Sequence, residues 1–139
     1  MGLFLKKNKA TLKRKIGDLG EELTKKYFLK QGYKIIKQNY TSRTGEIDLI
    51  VQENDEIVFV EVKTRTNYNF GYPEEAINFR KQNKIRMTAQ NYLTKEKILF
   101  KDYRFDVIGI EIDQLTQKAK IKHIKNAFWK LTNSLFINL

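Results

Sequence analysis

A hairpin limits what this chain can fold into more than any other feature. Gly45-Glu46-Ile47-Asp48-Leu49-Ile50 and Phe59-Val60-Glu61-Val62-Lys63-Thr64-Arg65 both alternate and are rich in β-branched residues, and Asn54-Asp55 lies midway between them. That pattern reads as two antiparallel strands joined by a tight turn. A turn centred on Asn54-Asp55 pairs Glu53 with Glu56, Val51 with Val58, Ile50 with Phe59 and Asp48 with Glu61. Side chains in a strand alternate faces, so Asp48, Glu61 and Lys63 project from one side of the sheet. Directly opposed residues hold their Cβ atoms only ~5 Å apart, and like charges placed there repel. Two carboxylates face to face in an apolar hairpin need a compensating charge, and a divalent cation and Lys63 are the two candidates.

The remaining elements fall around this pair. Residues 1–15 read as a loosely ordered basic arm and residues 16–139 as one domain, a length that suits a single core. Ile16, Leu19, Leu23 and Tyr27 set an amphipathic helix from Ile16 to Gln31, with Gly32 as its stop. Glu21 and Glu22 lie off that stripe and read as solvated partners of Lys25 and Lys26, although Glu21 also shares a stripe with Phe28. Tyr33 to Tyr40 makes a first strand, and Ile47, Leu49 and Val51 form one apolar face of the second. Pro73, followed by Glu74 and Glu75, opens a helix running to about Thr94, with Ile77, Ile85, Ala89, Tyr92 and Leu93 inward. Tyr103 to Ile110 and Ala119 to Ile124 read as strands, and Asn126 to Leu139 as a C-terminal helix or docking tail anchored by Trp129. The order helix, three strands, helix, one or two strands gives a single α/β domain with a mixed sheet.

Composition narrows the function. The chain has no cysteine and a single histidine, His123, so thiolate and multi-histidine metal sites are excluded. His123 reads as a surface residue. No run is long enough to cross a bilayer, and the apolar opening is too short for a signal peptide, so the cytoplasm is the expected location. Net charge is +11, from 27 basic and 16 acidic residues. The excess is clustered in residues 1–16, around Arg80 to Arg86, and from Lys118 to Lys125. Such clusters are the electrostatic footprint of a polyanion partner, and nucleic acid is the expected one.

Asp48 followed by Glu61-x-Lys63 is an arrangement suited to metal-dependent phosphodiester hydrolysis. Two carboxylates and the main-chain carbonyl of Val62 can hold a Mg²⁺ that keeps several waters. Lys63, on the same face, can orient the attacking hydroxide and bind the phosphate. The structural alternative is a salt bridge from Lys63 to Glu46, its cross-strand partner. Arg104 and Asp106 read either as support for the site or as a simple pair, and Tyr92 as core.

Gly17-x-x-Gly20-Glu21, Gly45-Glu46-Ile47-Asp48-Leu49-Ile50, Val58-Phe59-Val60-Glu61-Val62-Lys63-Thr64-Arg65, Phe70-Gly71-x-Pro73 and Arg104-Phe105-Asp106 together resemble the YraN-like family of predicted endonucleases. That family belongs to the PD-(D/E)xK superfamily of restriction-endonuclease-like folds and is similar to archaeal Holliday-junction resolvases. The resemblance spans about Ile16 to Phe128 and keeps Asp48, Glu61 and Lys63, with Ile47 where the superfamily's name has proline. It implies a mixed central sheet flanked by helices, and with the carboxylate pair it gives the expectation of a Mg²⁺- or Mn²⁺-dependent nuclease acting on DNA in preference to RNA, on branched or structured forms among others; cutting a junction symmetrically would call for a two-fold homodimer. It also implies that Glu21, four residues after Gly17, completes the metal site from the first helix. Arg65, Arg80, Lys84, Lys13, Arg14 and Lys15 are the expected nucleic-acid contacts. The alternatives are a non-catalytic nucleic-acid-binding module on the same fold and, more weakly, an assembly factor.

Overall fold

Five strands form one mixed sheet in the order β1-β2-β3-β4-β5, so the hairpin β2–β3 lies inside it, away from both edges. The computed structural model describes residues 2–66, 77–98, 101–113 and 115–130, with side chains from residue 11 onward. Helix α1 (Gly2–Lys30) precedes β1 (Lys34–Ser42), β2 (Gly45–Glu53) and β3 (Glu56–Arg65). Helix α2 (Phe79–Lys95) then leads to β4 (Tyr103–Ile112) and β5 (Ala119–Phe128). Strands β1, β2 and β3 run antiparallel, β3 and β4 parallel across the α2 crossover, and β4 and β5 antiparallel. The element order is the expected one, with two strands after α2.

Among the described residues, each face of the sheet carries one helix. Phe28 of α1 packs with Leu49, Val51, Val58, Val60, Ile108 and Ile110, whereas Ile85, Ala89, Tyr92 and Leu93 of α2 pack with Ile50, Phe59, Phe105 and Val107. The stripe expected on α2 is therefore the buried one, and Tyr92 is core. Glycine is required where α1 meets β3. A Cβ on Gly20 would come within 1.8 Å of Thr64 Oγ1, so only a residue without a side chain lets the helix sit this close. Gly45, at φ +147°, opens β2 in backbone space that L side chains rarely adopt, with Thr88 Oγ1 packed against it.

Several expectations change. The basic arm is helical, because residues 2–15 contain no proline and no glycine after Gly2, and α1 runs on from Gly2 without a break. Leu19 is 48% exposed, since Gly20, Thr24 and Phe28 form the inward line and the helix is rotated from the expected stripe. Described α2 begins at Phe79 with Asn78 as its N-cap, Oδ1 accepting from the Lys81 amide at 2.9 Å; Pro73, Glu74 and Glu75 lie outside the described residues. Ile47 packs on the α2 side with Ile50 rather than with Leu49 and Val51. The alternation breaks at Asp48, where β2 leaves β3.

Strand β5 continues to Phe128 across an irregularity in its register opposite Phe105 and Val107, so Asn126, Ala127 and Phe128 are strand rather than the start of a helix. Phe128 stacks on Phe105 with ring centroids 4.9 Å apart. Trp129, the next residue, is 66% exposed. Residues 131–139 of the expected tail lie outside the described residues.

His123 is not a surface residue either: its side chain is 7% exposed. It faces the α1 side of the sheet, edge-on to Tyr27 and Phe28, with Nδ1 2.9 Å from Tyr27 Oη and Nε2 2.7 Å from Asp106 Oδ2. Arg104 and Asp106 do pair, through Nε to Oδ1 at 2.9 Å and Nη2 to Oδ2 at 3.1 Å. Arg104 also reaches Tyr33 Oη at 3.0 Å and the carboxylates of Glu53 and Glu56. This buried polar network ties α1 to β4 and β5 and stands apart from the cleft described next.

Candidate active site

The predicted hairpin register is observed from Glu53↔Glu56 through Leu49↔Val60. There the ladder stops. The next pair, Asp48 and Glu61, lies beyond the last paired residues, and the two strands part. Asp48 bridges the opening with its side chain: the Val62 amide donates to Asp48 Oδ2 at 2.8 Å. The N–H and C=O of one strand residue point to the same edge, so the Val62 carbonyl faces the same opening.

The parting strands and helix α1 enclose a cleft of about 1000 Å³. Asp48, Glu61, Val62 and Lys63 line it from the sheet, Glu21 and Lys13 from α1, Arg65 from the end of β3, and Lys81 from α2. All four residues expected to do the chemistry therefore share one wall, together with two of the six expected nucleic-acid contacts. Arg14, Lys15, Arg80 and Lys84 are exposed and lie off the cleft. Glu21 is half-buried while its neighbour Glu22 is exposed, so the two acids are not equivalent solvated partners.

Lys81 is the residue that sequence reasoning missed. Its Nζ lies 3.0 Å from Glu61 Oε1, and it supplies the compensating charge expected of Lys63 or a cation. Among the described residues Lys63 forms no ion pair with Glu46, although both line the cleft. A signal was present: Arg80 and Lys81 occupy the first turn of α2, which holds no acid. Cations are disfavoured there by the helix dipole, and such a placement points to a distant partner.

The electrostatics follow from burial. Glu61 is 8% exposed; burial first and the Asp48 charge second push its carboxyl up to about 7, against the pull of Lys81. Burial also raises Asp48, opposed by the Val62 amide and by Lys81 and Lys63. Glu21 is raised by burial and by Asp48 and Asp18, while a hydrogen bond with Asn39 opposes the shift. Lys63 is lowered by burial and by the neighbouring Lys81. Glu21 leans toward Asn39, and among the described residues no three Asp, Glu, His or Cys side chains come together tightly enough to hold a metal by themselves. The available donors are two carboxylates and a carbonyl, all hard oxygens of the kind that suits Mg²⁺ or Mn²⁺.

Residues 20–110 match the family described as Uncharacterised protein family UPF0102. The chain belongs to this family, the YraN-like proteins. It is 50% identical to a UPF0102 protein of Clostridium botulinum over 81% of this chain and 93% of that one. It is 48% identical to one of Alkaliphilus oremlandii over 84% of this chain and the whole of that one. A UPF0102 protein of Caldanaerobacter subterraneus is 47% identical over 84% and 96% of the two chains. One solved structure, Pyrococcus furiosus SfsA in complex with Ca²⁺, matches 81% of this chain and 63% of its own at 13% identity and a TM-score of 0.35, a likeness too distant to bear on function. The cleft residues Glu21, Asp48, Glu61 and Lys63 all fall inside the matched residues.

Proposed function

We propose that this UPF0102 protein is a metal-dependent nuclease of restriction-endonuclease-like fold, hydrolysing phosphodiester bonds of DNA in the cytoplasm, branched or structured DNA included. One observation carries the reading: Asp48, Glu61 and Lys63 line a single cleft where β2 parts from β3. Asp48, Glu61 and the Val62 carbonyl would hold Mg²⁺ or Mn²⁺, with Glu21 completing the acidic wall. When bound, the cation supplies a water of lowered pKa and a positive centre facing the phosphate.

The chain's own groups do the rest. Lys63, drawn toward its neutral form by burial and by Lys81, takes a proton at Nζ from the attacking water or donates a hydrogen bond to the phosphate. Lys13 and Arg65 hold the backbone at the cleft, and Arg14, Lys15, Arg80 and Lys84 follow it outward by phosphate contacts that fix position and carry no sequence information. A symmetric junction would require a two-fold pair of copies.

The net charge of +11 favours a second reading, a nucleic-acid-binding module without catalysis. The two separate on one experiment: incubation with branched, single-stranded and duplex DNA plus Mn²⁺, beside Glu61→Gln. Cleavage by the wild type and none by Glu61→Gln is expected. Salt-sensitive binding without cleavage, unaffected by Glu61→Gln, supports the binding module instead.

A further inference from the structure

We propose that Lys81 is the cleft's own counter-cation, holding Glu61 while no divalent ion is bound, and that it has to leave Glu61 before one binds. The inference rests on the metal-dependent reading above. Lys81 Nζ sits 3.0 Å from Glu61 Oε1, with the carboxylate side chain 9% exposed and the lysine side chain 38% exposed. A charged carboxylate this deep is stabilised by a close partner, and one of its two oxygens, Oε1, is already engaged.

The position of Lys81 does not serve its own helix. It stands three residues beyond the Asn78 N-cap, in a first turn with no acid to offset it, where a carboxylate would stabilise the dipole. The partner across the cleft accounts for a residue that local structure does not favour. Lysine is a compact charge on a flexible stem, so its ammonium can swing off Glu61 without moving α2.

Charge balance gives the swing a direction. The cleft wall carries four carboxylates (Glu21, Glu46, Asp48, Glu61) and four cations (Lys13, Lys63, Arg65, Lys81). It is neutral in formal charge within a chain of +11. A bound divalent ion would make it cationic, keep Lys81 off Glu61 and leave the ammonium facing whatever anion enters next. Cation and polyanion binding are thereby coupled through one side chain.

The test is Mn²⁺ binding alone, measured by calorimetry on the wild type, Lys81→Met, Lys81→Arg and Glu61→Gln. Lys81→Met, which keeps the stem and removes the charge, should bind Mn²⁺ about 5-fold or more tightly than the wild type. Lys81→Arg should stay near the wild type, and Glu61→Gln should lose binding. Equal or weaker binding by Lys81→Met, with Glu61→Gln still defective, overturns the role of Lys81 and leaves the metal site standing. Binding by Glu61→Gln equal to the wild type, or no binding by any variant, overturns both. Should Lys81→Met fail to fold, the Lys81 ammonium resonance of the wild type, followed by NMR as Mg²⁺ is added, should move to that of a solvated lysine; an unchanged resonance overturns the proposal.

Discussion

The amide of Val62 donates to the carboxylate of Asp48 at 2.8 Å, and this side-chain bond stands where backbone pairing between β2 and β3 has ended. Asp48 thus has two tasks, to terminate the ladder and to present an oxygen to the cleft. Asparagine can do the first and not the second. Asp48→Asn should keep its stability, whereas Asp48→Ala, which leaves the Val62 N–H without an acceptor, should be about 1–3 kcal/mol less stable than Asp48→Asn. Urea denaturation of the two variants checks the difference, and neither should cleave DNA.

Glu61 gives the cleft a pH signature. Its carboxyl is shifted from an ordinary 4.5 to about 7, so between those values the folded chain holds more protons at this site than the unfolded chain. Its contribution to stability is complete below about 4.5, falls as pH rises to about 7 and is flat above that. The loss is on the order of 3 kcal/mol. Denaturation profiles of the wild type and Glu61→Gln, in chelator, should diverge over that window, the variant holding its stability as pH rises. Parallel profiles contradict it.

Gly20 sets the distance between α1 and β3. Gly20→Ala would place a methyl group 1.8 Å from Thr64 Oγ1, so the helix has to back away at a cost of about 1–3 kcal/mol. Glu21, the next residue, goes with it. Stability should therefore fall together with Mn²⁺ affinity, and Thr64→Ala in the same chain should recover part of both. A double-mutant cycle reads the coupling directly.

Asp106 is fully buried and accepts from Arg104, His123 and the Asn126 amide, bonds that hold its carboxyl below the usual range although burial alone would raise it. Asp106→Ala leaves the Arg104 charge without this partner and should lose about 3–5 kcal/mol. Thermal unfolding measures the loss, and Mn²⁺ affinity of the folded variant should be unchanged because the network does not line the cleft.

What could be read from the chain alone follows the range of the forces involved. The β2–β3 register was legible because a polar turn and two alternating apolar runs admit one pairing, in which Val51 meets Val58 and Ile50 meets Phe59. The stripe from Ile85 to Leu93 was legible for the same local reason. The Lys81–Glu61 pair was not, since it depends on how α2 docks after a crossover. Nor was the full length of α1, where charged residues give no apolar period to follow. His123 looked exposed because one histidine among lysines carries no burial signal, and its environment comes from Tyr27 and Phe28, almost a hundred residues earlier in the chain. The point at which β2 leaves β3 was also hidden: the sequence pattern continues past Leu49 although the pairing does not.

The unequal reach of the two ladders on β3 has a mechanical consequence. Toward β4 the pairing extends to Arg65↔Glu111, but toward β2 it ends at Leu49↔Val60. Glu61 is therefore carried by a leaf stitched to β4 along its whole length, and Asp48 by a second leaf stitched to β1 on either side of it but to β3 only below it. The gap between the two carboxylates is the width of a fork, and neither strand fixes it alone. A ligand drawn between the two carboxylates would change that width, and the amide proton of Val62, latched across the prongs by the Asp48 side chain, would register by its exchange rate how far they have opened.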